Sequence, residues 1–177
     1  MADWAGTGSL LTSGLLTVFN LSNGITLVQA VLVAVAAIGL KRENYQVARR
    51  MACAFFIIAV ASGIWSTVVF LRPGFPGAQW WWIEAAVSTV ISGALVFGIL
   101  RRTRWVLLVG AVYLFSWGVV YSMFQWIQPA FQFGSFQVEW ILEPFHIWVF
   151  VIPILMNLAM VWVLWRMFRW APSGCSP

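Results

Sequence analysis

The chain has very few of the residues that keep a protein soluble. Only 8% of its 177 residues are charged, with ten Lys or Arg, five Asp or Glu and a single histidine. A water-soluble domain of this length could not cover its surface with so few charges. Cysteine is equally scarce, and Cys53 and Cys175 form no CxxC pair, so neither a disulfide nor a redox relay is predicted. GxSxG, P-loop and HExxH motifs are also absent from the sequence.

Hydrophobic residues dominate instead, at 62% of the chain, with a mean hydropathy of +0.90. Apolar runs of about 20 residues cross about 30 Å of hydrocarbon as helices. The runs are continuous rather than alternating, which excludes a β-barrel. We predict one all-α domain over residues 1–177, an integral, multi-pass membrane bundle of five transmembrane helices. The predicted spans are roughly residues 14–40, 51–71, 82–100, 105–127 and 141–165. No convincing internal repeat is visible in the sequence.

The cationic residues predict how the bundle is oriented. Nine of the ten fall into three clusters between the apolar runs: Lys41, Arg42, Arg49 and Arg50; Arg101, Arg102 and Arg104; and Arg166 and Arg169. Cytoplasmic loops carry an excess of Lys and Arg, so we expect the N-terminus outside and the C-terminus in the cytoplasm. We interpret the net charge of +5 as fixing this topology and attracting anionic lipid headgroups, not as a nucleic-acid binding surface.

Polar residues inside the spans mark a candidate site, because ionisable groups in a membrane usually face the bundle interior. At about 100° per residue, one face of the fifth span carries the densest set. Comparable stripes lie on the third and fourth spans, and three of the 13 tryptophans sit deep enough either to pack against neighbours and lipid or to line a cavity. The fifth span carries Glu139, Glu143, His146 and Asn157, the third Glu84, Ser88 and Ser92, and the fourth Tyr113, Trp117 and Tyr121. The deep tryptophans are Trp65, Trp117 and Trp148.

Three interpretations of this polar surface remain open. It could consist of interhelical hydrogen bonds and solvated interfacial carboxylates, or it could be a ligand-binding or catalytic pocket. The third interpretation is a metal site, because Glu143-x-x-His146 has the spacing of di-iron helices. Such sites use two Glu-x-x-His motifs, however, and the chain has one histidine. His146 alone can also ligate haem or chlorophyll. No metal site is predicted, and no cofactor is assigned.

The second half of the chain resembles the emopamil-binding (EXPERA) family of sterol double-bond isomerases and related membrane receptors. The matching features are Glu84 followed by Gly93, Val109-Gly110-x-x-Tyr113 with Tyr121, and Pro144-x-x-x-Trp148 with Met156-Asn157. The resemblance implies five helices around a sterol cavity, with Glu84 in proton transfer and Asn157 supporting a cationic intermediate. The family's second helix supplies a histidine and a glutamate, which residues 55–69 lack here, and Met160 replaces the family's tryptophan.

We therefore predict an outward-biased pocket for a hydrophobic or amphipathic, sterol- or isoprenoid-like ligand. A double-bond shift needs an acid and a base near one carbon skeleton. The predicted catalytic residues are Glu84, Glu143 and His146, and the predicted ligand-binding residues are Tyr113, Trp117, Tyr121, Glu139, Trp148 and Asn157.

Two other functions stay open: a non-catalytic accessory subunit of a larger membrane complex, and a small transporter. A subunit would present the small-residue face Ala59-x-x-x-Gly63 to its partner. A transporter is less favoured, because the inner halves of the spans are almost devoid of polar residues beyond Gln29 and Asn157. The expected partners are the lipid bilayer, a hydrophobic small molecule or lipid, and either a second copy of the chain or a membrane subunit.

Overall fold

The computed structural model describes residues 24–71, 78–131 and 150–170, and all regular secondary structure in these ranges is helical. In chain order the elements are α1 (Gly24–Lys41), α2 (Tyr45–Phe70), α3 (Ala78–Leu100), α4 (Arg104–Tyr113), the π-helix π1 (Leu114–Tyr121), α5 (Ser122–Phe131) and α6 (Ile152–Trp170).

These elements form five helical spans that are long and apolar enough to cross a membrane, with α4, π1 and α5 joined into the fourth span. The prediction of an all-α, multi-pass membrane protein is confirmed. One boundary differs clearly: α2 begins at Tyr45, because the Asn44 side chain accepts a hydrogen bond from the Val47 N–H at 3.1 Å and caps the helix. Residues 14–23 and 141–149 of the predicted spans lie outside the described residues.

The most tightly packed part of the bundle lies towards the arginine-bearing turns. α2 packs along α3, and α6 packs against α4, π1 and α2. Gly110 of α4 allows α3 and α6 to pack closely against it, since a Cβ there would lie 3.3 Å from the Leu164 side chain and 3.4 Å from that of Leu95. The largest fully buried side chains are Phe56, Met160, Val163, Leu164 and Met167, together with the small polar Ser92.

Arginine side chains at this end lie over aromatic rings. Arg104 ties the start of α4 to the end of α6: its Nε donates to the Phe168 carbonyl at 3.1 Å, and its guanidinium lies 4.7 Å from the centre of the Phe168 ring. Arg101 lies 4.2 Å above Phe97 in the same way. Such contacts keep a cation paired at the edge of an apolar bundle.

The two turns between α1 and α2 and between α3 and α4 have the same structure. Each contains one non-glycine residue with positive φ, Glu43 at 58° and Arg102 at 61°. The next N–H bonds back to a glycine carbonyl, Asn44 to Gly39 at 2.8 Å and Thr103 to Gly98 at 3.1 Å. With the companion bonds from Glu43 to Leu40 and from Arg102 to Ile99, both turns are Schellman motifs.

The likeness extends beyond the turns along two helical hairpins, one formed by α1 and α2 and the other by α3 and the fourth span. Residues 24–55 and 83–114 have nearly the same pattern of burial at a constant offset of 59 residues. The equivalent buried pairs are Val33 and Ser92, Ala36 and Leu95, Leu40 and Ile99, Ala48 and Leu107, Ala52 and Ala111, and Phe55 and Leu114. Exposed pairs also match, as in Val28 with Val87 and Ile38 with Phe97. The first four spans are therefore two structurally repeated hairpins in the same orientation.

The repetition breaks down where π1 begins. Phe56 is fully buried in α2, whereas the equivalent Phe115 is 49% exposed. Residues 55–62 of α2 continue as α-helix, while the equivalent residues 114–121 form the π-helix. A π-helix bonds each carbonyl to the N–H five residues later, so it changes which side chains face the neighbouring helices. The second hairpin thus differs from the first in one defined segment.

Candidate functional site

A cavity of about 670 Å³ lies in the half of the bundle farther from the arginine-bearing turns. It draws residues from the first four spans and from Phe150, just before α6, and most of them are small or polar. The lining residues are Gln29, Ala59, Ser62, Gly63, Ser66, Glu84, Ala85, Ser88, Trp117, Gln125, Gln128 and Phe150. Its volume lies within the range of small-molecule pockets.

Two hydrogen bonds connect α3 to the fourth span beside this cavity. The Tyr121 hydroxyl donates to Glu84 Oε2 at 3.2 Å, and the hydroxyls of Ser88 and Tyr113 lie 2.7 Å apart. All four side chains are half-buried. Since Glu84 and Ser88 are one helical turn apart, these bonds fix the α3 face that lines the cavity against two turns of the fourth span.

Trp117 is one of two aromatic residues in the described cavity wall, with Phe150. Its ring stacks on Tyr121 with the centroids 4.7 Å apart and the planes 23° from parallel. Both residues belong to π1, and Trp117 is 38% exposed. The Tyr121 side chain therefore contacts the Trp117 ring through its face and the Glu84 carboxylate through its hydroxyl.

Asn157 lies on α6 and approaches the backbone of π1. Its Nδ2 donates to the Gly118 carbonyl at 3.1 Å. Gly118 is needed for this approach, because a Cβ there would lie 2.6 Å from Nδ2 and 2.7 Å from Cγ of Asn157. The structure thus places Asn157 behind the cavity wall, whereas the sequence predicts it as a ligand contact.

The predicted site residues divide into three groups. Glu84 and Trp117 line the cavity, while Tyr113, Tyr121 and Asn157 bond to its wall or to the backbone behind it. The other predicted residues, Glu139, Glu143, His146 and Trp148, lie outside the described residues. Within residues 24–71, 78–131 and 150–170, no group of three or more His, Cys, Asp or Glu could hold a metal ion.

The contribution of the first two spans was not predicted. Gln29 of α1 and Ser62 and Ser66 of α2 line the cavity. A signal existed in the sequence, since Ala59, Ser62, Gly63 and Ser66 follow the i, i+3, i+4, i+7 spacing of one helical face.

The same face bears on the accessory-subunit hypothesis. A partner was expected to cover Ala59 and Gly63, but both line the cavity, and a Cβ on Gly63 would overlap the Thr89 side chain of α3. This small-residue face is therefore used within the chain, for the close packing of α2 on α3.

The arrangement defines what the cavity could hold. Glu84 is the only charged side chain among the described lining residues, and hydroxyl and amide groups provide further hydrogen-bonding positions. Below it, the described core is almost entirely apolar, with Met160, Val163 and Leu164 fully buried. The described part of the chain thus shows a polar recess that is closed at one end, not a polar path through the bundle.

Comparisons with protein-family models, with curated proteins and with solved structures find no match to this chain. The resemblance to the emopamil-binding family therefore stays a prediction. The structure itself identifies the chain as a multi-pass helical membrane protein.

Proposed function

We propose that this membrane protein binds a hydrophobic or amphipathic small molecule, of sterol or isoprenoid type, in the cavity beside Glu84. The observation that supports the proposal is the polar recess lined by four apolar spans and Phe150, with Glu84 held by Tyr121 at 3.2 Å. A carboxylate inside a bilayer is costly unless it has a partner or a use. An amphipathic molecule fits such a recess, because its polar group would meet Glu84 and the serines while its apolar part packs against Trp117 and Phe150.

The test compares two glutamates in the purified protein. Glu84→Gln retains an oxygen that accepts from Tyr121 and removes the charge, so the fold is preserved. Glu43→Gln is the matched control, since Glu43 lies in the exposed turn after α1. Molecules that copurify in mild detergent are extracted and identified by mass spectrometry, and melting is measured on the same samples.

We expect the wild type and Glu43→Gln to retain the same amphipathic molecule, and Glu84→Gln to lose it while melting near the wild type. Recovery of bulk bilayer lipid alone from the wild type would contradict the proposal. Stoichiometric recovery of a different membrane protein, with unfolding of this chain in its absence, would favour the accessory-subunit function instead.

Proton-transfer chemistry is an extension of this proposal. In a double-bond shift, one alkene carbon gains a proton and the other becomes cationic. The next carbon beyond the cationic one then loses a proton to form the new double bond, so an acid and a base are both required. Glu84 supplies one group, and Glu143 or His146 would supply the other. The test is incubation in D2O, followed by mass spectrometry of the recovered molecule. Deuterium incorporation that is lost in Glu84→Gln and Glu143→Gln supports the extension, and no incorporation in the wild type excludes it.

A further inference from the structure

We infer that Asn157 is a positioning residue for the cavity: through its bond to the Gly118 carbonyl it holds π1 in place, and π1 presents Trp117 and Tyr121. This inference deepens the proposed function, because it concerns the same cavity. It assigns Asn157 a role without any contact to the bound molecule. The bond itself is the 3.1 Å hydrogen bond from Asn157 Nδ2.

The two hairpins provide an internal comparison. Residues 55–62 of α2 occupy the positions equivalent to π1 and remain α-helical, although the hairpins match in turn structure and burial up to that point. A hairpin of this kind therefore does not require a π-helix. What accompanies π1 is α6, which packs against both α4 and π1 and brings Asn157 to Gly118.

The chemistry of Asn157 suits this role. It lies in a helix whose remaining residues are almost all apolar up to Arg166, where a polar side chain needs an internal partner. Carbonyls in a π-helical segment change partners relative to the α-helices on either side, and π-bulges occur often at functional sites. An amide N–H donated to one of these carbonyls stabilises the altered backbone within a membrane span.

From Gly118 the effect reaches the cavity over short distances. Trp117 precedes Gly118 directly and lines the cavity, and Tyr121 stacks on Trp117 at 4.7 Å. Tyr121 in turn donates to Glu84. If π1 returned to α-helical bonding, the side chains of Trp117 and Tyr121 would rotate relative to α3. The stacking of these two rings and the bond from Tyr121 to Glu84 would then both change.

The experiment reports on Trp117 directly. The protein is labelled with 5-fluorotryptophan, and the Trp117 resonance is assigned by its loss in Trp117→Phe. Asn157→Leu removes the donor at similar size, and Gly118→Ala places a methyl group against the Asn157 amide. Gly93→Ala is the matched control, since a Cβ there meets nothing within 4 Å.

We expect Asn157→Leu and Gly118→Ala to shift or broaden the Trp117 resonance and to reduce the amount of copurified molecule, with Gly93→Ala unchanged. A merely structural hydrogen bond would lower the melting temperature and leave the Trp117 resonance in place, which would overturn the inference. If Asn157→Leu does not accumulate in the membrane, Gly118→Ala alone decides. The resonance is measured without any ligand, so absence of a copurified molecule would refute the proposed function and leave this test intact.

Discussion

The Tyr121 hydroxyl donates a hydrogen bond to the Glu84 carboxylate at 3.2 Å, which joins π1 to α3 beside the cavity. We expect Glu84→Ala and Tyr121→Phe to be non-additive, because each removes the same bond. Interhelical hydrogen bonds in membranes average about 0.6 kcal/mol in double-mutant cycles, so we expect a coupling of about that size. Unfolding in mixed detergent micelles measures it. The control cycle pairs Tyr121→Phe with Glu43→Ala at the far end of the bundle, where additivity is expected; equal results in the two cycles would contradict the bond.

The turn between α3 and α4 is closely packed, because a Cβ on Gly98 would lie 2.7 Å from Val106 Cγ1. We expect Gly98→Ala to lower the free energy of unfolding by about 1–3 kcal/mol through overpacking. Gly93→Ala on the same helix has open space and should be neutral or slightly stabilising. Adding Val106→Ala to Gly98→Ala should recover part of the loss. Equal melting temperatures for the two alanine variants would show that the turn can relax.

Arg102 has a left-handed backbone, with φ of 61°. Such a conformation costs a non-glycine residue about 1–2 kcal/mol, so Arg102→Gly should stabilise the protein by about 0.5–1 kcal/mol after the entropy of glycine is subtracted. Its neighbour provides the control. Arg101 lies over the Phe97 ring, and Arg101→Gly should lower stability by about 1 kcal/mol. Thermal melting of both variants checks the opposite signs, and two shifts of the same sign would contradict the Schellman turn.

The orientation of the chain is a separate prediction. The arginine clusters predict that the N-terminus is outside and that Cys175 is in the cytoplasm. An impermeant thiol reagent applied to intact cells should label a cysteine introduced at Ala2, and should label Cys175 only after permeabilisation. Labelling of Cys175 in intact cells would reverse the topology.

The spans could be predicted from the sequence, because continuous apolar runs bounded by arginine clusters leave few alternatives. The hairpin repeat could not. In a membrane bundle, apolar residues of different size replace one another in equivalent buried positions, as Ala36 and Leu95 do. Burial is therefore repeated while residue identity is not.

The candidate site was only partly predictable for a related reason. Glu84 and Tyr121 stand out as polar residues on apolar helices, and the structure brings them together. The π-helix leaves no clear mark in the sequence, since its apolar residues resemble those of α2. The partner of Asn157 is a backbone carbonyl, which no side-chain pattern reveals.

The hairpin repeat also has a consequence for parity. A two-span unit that enters and leaves on one face of the bilayer can be added or removed without inverting whatever follows it. Among the described spans, α6 is then the one without a hairpin partner, and the basic clusters predict opposite faces for the start of α1 and the end of α6. Each repeated turn carries an arginine at the equivalent position, Arg42 and Arg101, and α6 ends with Arg166 and Arg169. The predicted orientation thus rests on three basic clusters, and we expect that removing any one of them would leave two that predict the same orientation.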